Sequence, residues 1–273
     1  MLSSPQLGAG LMALAGLMAL AGLLAPVAAF AQQAPANATT AAPAPDWTVT
    51  VGAEAQWEPA YPGANFMRLR PFPAFDIEYK NRFFAKEDML FGVYFVNNAN
   101  WSAGLALQYD FTERETSEDA RLRGLQNVPA TPRAKAFLTY TQSAFTFSTS
   151  AAQDIAGNRE GLVVDTNATL TLPVGKKLYL TAGPGVTWTN GTYQQTFFGV
   201  TPSQSAASGL PVYDAHGGAA TGYVTVEADY LITKSLIATV ELKFARLYGN
   251  SASSPITRRV QQNTDTLALT YTF

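Results

Sequence analysis

From Asp46 onward the chain is a succession of short segments in which apolar and polar residues alternate, the period-2 signature of a strand with one apolar face. Trp47, Val49, Val51, Ala53, Ala55 and Trp57 alternate with Thr48, Thr50, Gly52, Glu54 and Gln56. The same alternation runs through Trp101–Phe111, Val224–Tyr230 and Leu236–Phe244, and further candidate strands cover 67–79, 89–96, 133–141, 144–154, 161–172 and 178–189. Segments of about ten residues fit tilted strands that cross a bilayer. After Ala31 no apolar run is long enough for a membrane helix, so any crossing of a membrane has to be made by strands.

The last segment, Thr264–Phe273, places Leu267, Leu269, Tyr271 and Phe273 on one face and Thr266, Ala268, Thr270 and Thr272 on the other. Left open, such a strand is an aggregating edge, and a barrel removes the edge by pairing last strand with first. This ending resembles the C-terminal assembly signal of bacterial outer-membrane barrels, read by the barrel-assembly machinery. The expected address is therefore the outer membrane of a Gram-negative bacterium, in contact with its lipid and lipopolysaccharide.

The other end agrees with that address. Leu7–Leu24 is apolar, Pro26 breaks it, and Ala29-Phe30-Ala31 precedes Gln32, the layout of a signal peptide with an A-x-A cleavage site. No Lys or Arg precedes the run, which departs from that pattern. A membrane anchor is the competing reading, and the proline break and small-residue site favour cleavage. Residues 1–31 are read as the signal peptide, and the Ala/Pro-rich stretch 32–45 as a disordered periplasmic linker with no apolar residue large enough for a core. Residues 46–273 are read as the barrel.

Composition removes several function classes. The chain has no cysteine, so disulfides, thiolate metal sites and a lipid-anchored cysteine are out. A net charge of −2 lacks the basic footprint of nucleic-acid binding. A soluble β-sandwich also alternates, but it does not call for a signal peptide, a dozen such segments and a terminal aromatic strand together.

Parity sets the strand number. Short turns such as Pro173–Lys177 and Thr233–Ser235 belong to the periplasmic side, and long loops to the outside. With Thr112–Pro132 outside, strand 101–111 ascends and 89–96 descends, while counting from the N-terminus makes 67–79 descend too. An ascending strand must lie between Lys80 and Asp88, and Arg82-Phe83-Phe84-Ala85 is the candidate. The expected fold is an all-β, antiparallel, up-and-down transmembrane barrel of about twelve strands. Its outside loops would be Glu58–Phe66, Thr112–Pro132, Ile155–Glu160, Gly191–Gly218 and Tyr248–Asn263.

Alternation also assigns a lumen. Glu54, Asp76, Glu78, Asp110, Asp165, Glu227, Asp229 and Glu241 would face inward against Arg68, Arg70, Lys135 and Lys243, and an acidic excess favours cations. The pairs Asp76/Glu78 and Glu227/Asp229 are expected to find partners in Arg68, Arg70 or Lys243 rather than to do acid–base work. Gly191–Gly218 is long enough to fold over the mouth. The sole histidine, His216, with Asp214 and Ser205 or Ser208, is the one conceivable catalytic constellation, and its simpler reading is a solvated turn. Glu115, Glu118 and Asp119 lack calcium-loop spacing. No cofactor, metal site or catalytic residue is expected.

Several phrases are similar to the MipA/OmpV family, named for an MltA-interacting protein. They are Tyr61-Pro62-Gly63, Arg68-Leu69-Arg70-Pro71-Phe72-Pro73, Arg82-Phe83-Phe84, Arg121-Leu122-Arg123-Gly124-Leu125 and Ser254-Pro255-Ile256. The most specific runs from Tyr193 through Phe198-Gly199-Val200 to Thr201, then from Ser205 to Ala215. The resemblance implies an outer-membrane barrel without a catalytic motif. Its named member is a scaffold holding a lytic transglycosylase together with a penicillin-binding protein, and other members are porin-like or adhesive. By that resemblance this chain is a scaffold or surface protein of the cell-wall machinery; the alternative is a narrow, weakly cation-preferring diffusion channel.

Overall fold

A computed structural model describes residues 46–87 and 89–273. The stretches read from the sequence as signal peptide and linker, residues 1–31 and 32–45, lie outside the described residues. Twelve antiparallel strands close into one barrel: β1 Trp47–Pro59, β2 Met67–Tyr79, β3 Phe83–Lys86, β4 Met89–Asn97, β5 Trp101–Asp110 and β6 Thr131–Gln142, then β7 Phe145–Asp154, β8 Leu162–Val174, β9 Leu178–Thr189, β10 Gly218–Leu231, β11 Leu236–Leu247 and β12 Thr264–Thr272. Each strand pairs with its sequence neighbours, and β12 returns to β1.

The closing seam runs from Thr50↔Thr272 to Trp57↔Asp265. The Phe273 amide adds a bond to the Val49 carbonyl at 3.0 Å, and the inward hydroxyls of Thr50 and Thr272 meet at 2.8 Å. The terminal strand therefore has no free edge. Its outward Leu267, Leu269, Tyr271 and Phe273 are all exposed, Leu267 at 60 %, as befits a row that faces lipid.

Strand ends carry the interfacial residues. Trp47 packs on Tyr79 and Trp101 on Tyr140, each pair with ring centroids 4.5 Å apart, while Lys80 lies 5.2 Å over Tyr79 and Lys177 5.9 Å over Tyr230. Aromatic rings and snorkelling lysines gather where hydrocarbon meets headgroups. Trp47 and Trp57 stand ten residues apart on β1; at about 3.4 Å per residue and about 40° of tilt, that is an apolar band of about 25 Å.

Inward glycines make room for inward rings. A Cβ on Gly92 would fall 2.1 Å from the Phe84 ring and one on Gly185 would fall 2.2 Å from the Tyr223 ring. Phe84, Tyr94 and Phe137 pack together as a result, with centroid separations of 4.4–5.8 Å.

Strand limits differ from the sequence reading in particular places. The third strand is Phe83–Lys86 rather than 82–85, which adds Lys86 to the wall. β10 begins at Gly218, ahead of Val224, because its first residues are small and carry no alternation; its ladder with β9 shifts between Ala219 and Thr221. β4 shifts register twice, so Phe91, Phe95 and Val96 all end on the outer surface.

The long connections were expected as loops, and among the described residues they contain three α-helices, α1 Gly191–Phe198, α2 Pro202–Ser208 and α3 Gly249–Ser253, and a short 3-10 helix at Ala120–Leu122. Asn190 caps α1 by accepting from the Tyr193 amide at 3.0 Å. Thr201 and Gln204 form a reciprocal capping box on α2, Pro202 opens it, and Gly209 at φ +77° ends it.

Candidate functional site: a roofed lumen

The five long connections fold together into a cap. Tyr61, Leu122, Leu125, Val200 and Ile256 form one buried apolar cluster, with Leu210 and Tyr213 packed against it. Val128, Phe197, Phe198, Ala215 and Leu247 form a second, and Tyr213 joins both. Residues from four connections thus bury one another as in a soluble domain.

Polar contacts lock the cap. Asp119 accepts from the Tyr61 hydroxyl at 3.1 Å and pairs with Arg258 at 2.9 Å. Burial opposes ionisation of Asp119, but the Arg121 amide, Arg258 and Tyr61 outweigh it and hold the carboxyl below its usual range. Arg114, 1 % exposed, donates to the carbonyls of Phe197 at 2.5 Å and Gln126 at 3.2 Å. The Gln194 side chain bonds Thr189 Oγ1 at 2.8 Å and Ser251 Oγ at 2.9 Å, tying α1 to β9 and α3.

Charges tie the cap to the wall. Arg68 reaches Glu58, Glu113 and Glu118 at 3.0–3.3 Å, and Arg70 pairs with Glu58 at 3.2 Å and with Glu113. Arg133, at 1 % side-chain exposure, pairs with Asp110 at 2.7 Å and Glu160 at 3.1 Å. Glu160 is fully buried; its Oε2 accepts from Arg133, while Oε1 meets no donor among the described residues. Burial pushes this carboxyl up to about 8 against the pull of Arg133.

Beneath the cap lies a cavity of about 940 Å³. Residues of β1, β2, β5 and β8–β12 all line it, so it occupies the barrel interior. Tyr61, Pro62, Tyr193 and Phe198 reach it from the cap.

The residues read as lumen-facing distribute as follows. Glu54, Asp165, Glu227, Glu241 and Lys243 line the cavity, as do Arg68, Arg70 and Asp110. Glu227 and Glu241 are directly opposed on β10 and β11. Asp165 accepts from the hydroxyls of Tyr223 and Thr187, both at 2.7 Å, and Lys243 Nζ sits 4.1 Å over the Tyr223 ring. Asp229 accepts from Thr239 at 2.6 Å. Asp76 and Glu78 pair with Lys86 at 2.9 and 3.0 Å instead of with Arg68, Arg70 or Lys243, because Lys86 lies beside them on β3. Lys135 stands on β6 between the inward Arg133 and Phe137.

Sequence reasoning missed Lys86 and Arg133. Arg133 was legible, since it shares the parity of Lys135; Lys86 was hidden by ending the third strand one residue early.

The histidine constellation is not assembled. His216 and Asp214 are 3.9 Å apart, with side chains 74 % and 79 % exposed. The Ser205 hydroxyl donates to the Leu210 carbonyl and the Ser208 hydroxyl to the Gln204 carbonyl, both at 2.6 Å. Among the described residues no group of three His, Asp or Glu side chains could hold a metal ion.

The chain is 25 % identical over 175 residues to the protein described as "Putative outer membrane protein YiaT" of Escherichia coli K12, covering 64 % of this chain and 68 % of that protein. Among solved structures, the NanC porin aligns with a TM-score of 0.39 at 9 % identity, covering 82 % of this chain and 98 % of the other. An outer-membrane channel from Pseudomonas putida F1 aligns with a TM-score of 0.39 at 8 % identity, covering 88 % of this chain and 100 % of the other. The family described as MltA-interacting protein MipA matches residues 51–273, and the chain, an outer-membrane β-barrel, belongs to that family.

Proposed function

We propose that the protein acts without catalysis as an outer-membrane scaffold for cell-wall enzymes rather than as an open pore. The roofed mouth is the observation that carries this reading. A general diffusion pore needs a continuous aqueous path, whereas here Tyr61, Tyr193 and Phe198 of the cap stand over the cavity. Arg68, Arg70 and Arg133 are neutralised by carboxylates of wall and cap rather than left to face a permeating ion. The family's name supports a lytic transglycosylase as partner, and a penicillin-binding protein is the second candidate carried by the resemblance. Leu267, Leu269, Tyr271 and Phe273 serve as the signal for the barrel-assembly machinery. Co-purification from detergent extracts tests the scaffold role: recovery of a murein-cleaving enzyme is expected, and its consistent absence overturns the role.

A second reading, a narrow cation-preferring channel, is favoured by Glu54, Asp165, Glu227 and Glu241 around the cavity against Lys243, with Arg68 and Arg70 paired to Glu113. Single-channel recording separates the two.

A further inference from the structure

The barrel wall is incomplete beside β2. This strand has thirteen residues, yet β3 has four and pairs only with Asp76–Tyr79. β3 and β4 share only the pairs Phe83↔Val93 and Phe84↔Gly92, and β4 meets β5 no higher than Met89↔Gln108. Among the described residues, no strand pairs with Met67–Phe75 on the side away from β1.

The sequence matches that edge. Pro71 and Pro73 share one parity, so both lack an amide on the same side of β2. The ladder to β1 runs unbroken through them, from Trp47↔Tyr79 to Pro59↔Met67, which requires every donor it uses. The missing amides therefore point to the strandless side, where they leave no unpaired N–H facing hydrocarbon.

The cavity passes through this opening. Phe72 points inward; Pro73 and Phe75, of opposite parity, point outward; all three line the same cavity as Glu227. A cavity touches both faces of a strand only by passing its edge. Leu90 and Tyr109 line it from the far side. Above, Arg70 Nη1 donates to the Phe111 carbonyl at 2.9 Å and the Phe72 and Phe111 rings meet at 5.0 Å; below, Lys86 binds Asp76 at 2.9 Å. Between Phe72 and Asp76 the opening is about 13 Å tall. Pro71, Pro73 and Phe75 pair with Ala55, Ala53 and Val51, so it lies between the levels of Trp47 and Trp57, within the apolar band.

We propose that this opening is a lateral window through which the lumen takes a cationic amphiphile from the membrane. Phe72, Pro73, Phe75, Leu90 and Tyr109 on the rim at hydrocarbon depth select an alkyl body, with Glu87 and the Lys86–Asp76 pair at its lower end. Behind it Glu54, Asp165, Glu227 and Glu241 face Lys243, while Arg68 and Arg70, which also line the cavity, are paired with Glu58 and Glu113, and such an acidic excess selects a positive head. Entry is sideways because the cap covers the direct route. The window does not depend on the scaffold role.

The test is photolabelling of the full protein in lipid nanodiscs with a diazirine-bearing alkyl trimethylammonium, adducts being mapped by mass spectrometry. Adducts concentrated on Phe72, Phe75, Leu90 and Tyr109, and reduced at least about fivefold by Glu227→Gln with Glu241→Gln, are expected. Should that double variant not fold, an alkyl sulfate carrying the same diazirine gives the charge comparison on the wild-type protein, with at least about fivefold weaker labelling expected. Adducts spread evenly over outward residues such as Leu105 and Leu267 overturn the window, and equal labelling by the sulfate overturns the cationic ligand.

Discussion

Wall and cap are held together by different physics. The wall turns its large apolar side chains outward, Phe91 at 58 % and Leu267 at 60 % exposure, whereas the cap buries Phe197 and Val200 completely. In the wall the backbone ladder supplies cohesion and lipid covers the apolar face. In the cap, side-chain packing does the same work with little regular pairing, the isolated bridges being Arg114↔Val128, Val200↔Tyr213 and Arg246↔Gln261. One chain thus carries a membrane barrel and, above it, a small water-soluble core. The two should fail separately.

The largest effect is expected from Phe197→Ala, which empties the second cap cluster at a cost of about 3–5 kcal/mol to the cap. Limited proteolysis should then cut the 190–217 connection while the barrel keeps its heat-modifiable gel migration. Loss of the barrel band as well would erase the distinction between the two regions. The reciprocal change is Leu105→Arg on the lipid face, expected to lower the wall's unfolding free energy by about 2–4 kcal/mol. Protease resistance of the cap should be unchanged in the fraction that folds.

Smaller changes sharpen the picture within the cap. Asp119→Ala strands the Tyr61 hydroxyl and Arg258 and should loosen the cap by about 1–3 kcal/mol, measured by hydrogen exchange. The pH dependence has a definite sign. The Glu160 carboxyl is raised to about 8 in the folded protein, so its contribution is fully present below the ordinary glutamate range and is lost as pH rises towards about 8. Asp119 is lowered, so its contribution is present above the ordinary aspartate range and is lost in acid. Protection of the cap amides, taken relative to their intrinsic base-catalysed exchange, should therefore fall between about pH 5 and about pH 8.5, and Glu160→Gln should flatten that fall. His216→Ala is expected to change stability by less than about 0.5 kcal/mol, because the ring is exposed and its nearest acid is 3.9 Å away.

What could be read from sequence follows the same division. Wall strands announce themselves because lipid on one side and water on the other impose strict alternation, as in Trp47–Trp57. Even the four-residue β3, too short for a pattern, was demanded by parity. The cap gives no such signal, since Tyr61, Leu122, Val200 and Ile256 come from separate connections and no period links them. Its helices did leave a mark: Thr201-Pro202 with Gln204 is a legible capping sequence. The inward charges follow the alternation, but their partners do not, and Lys86 claimed Asp76 and Glu78 by proximity across β2 and β3. The window was written in Pro71 and Pro73 but visible only once β3 proved so short.

Single-channel recording of protein purified from outer membranes and placed in planar bilayers tests the roofed barrel most directly. The account predicts a silent baseline from heat-modifiable, folded protein, with activity appearing when Phe197→Ala loosens the cap. Steady, discrete, cation-preferring openings from the wild-type protein would contradict it and put the channel reading first.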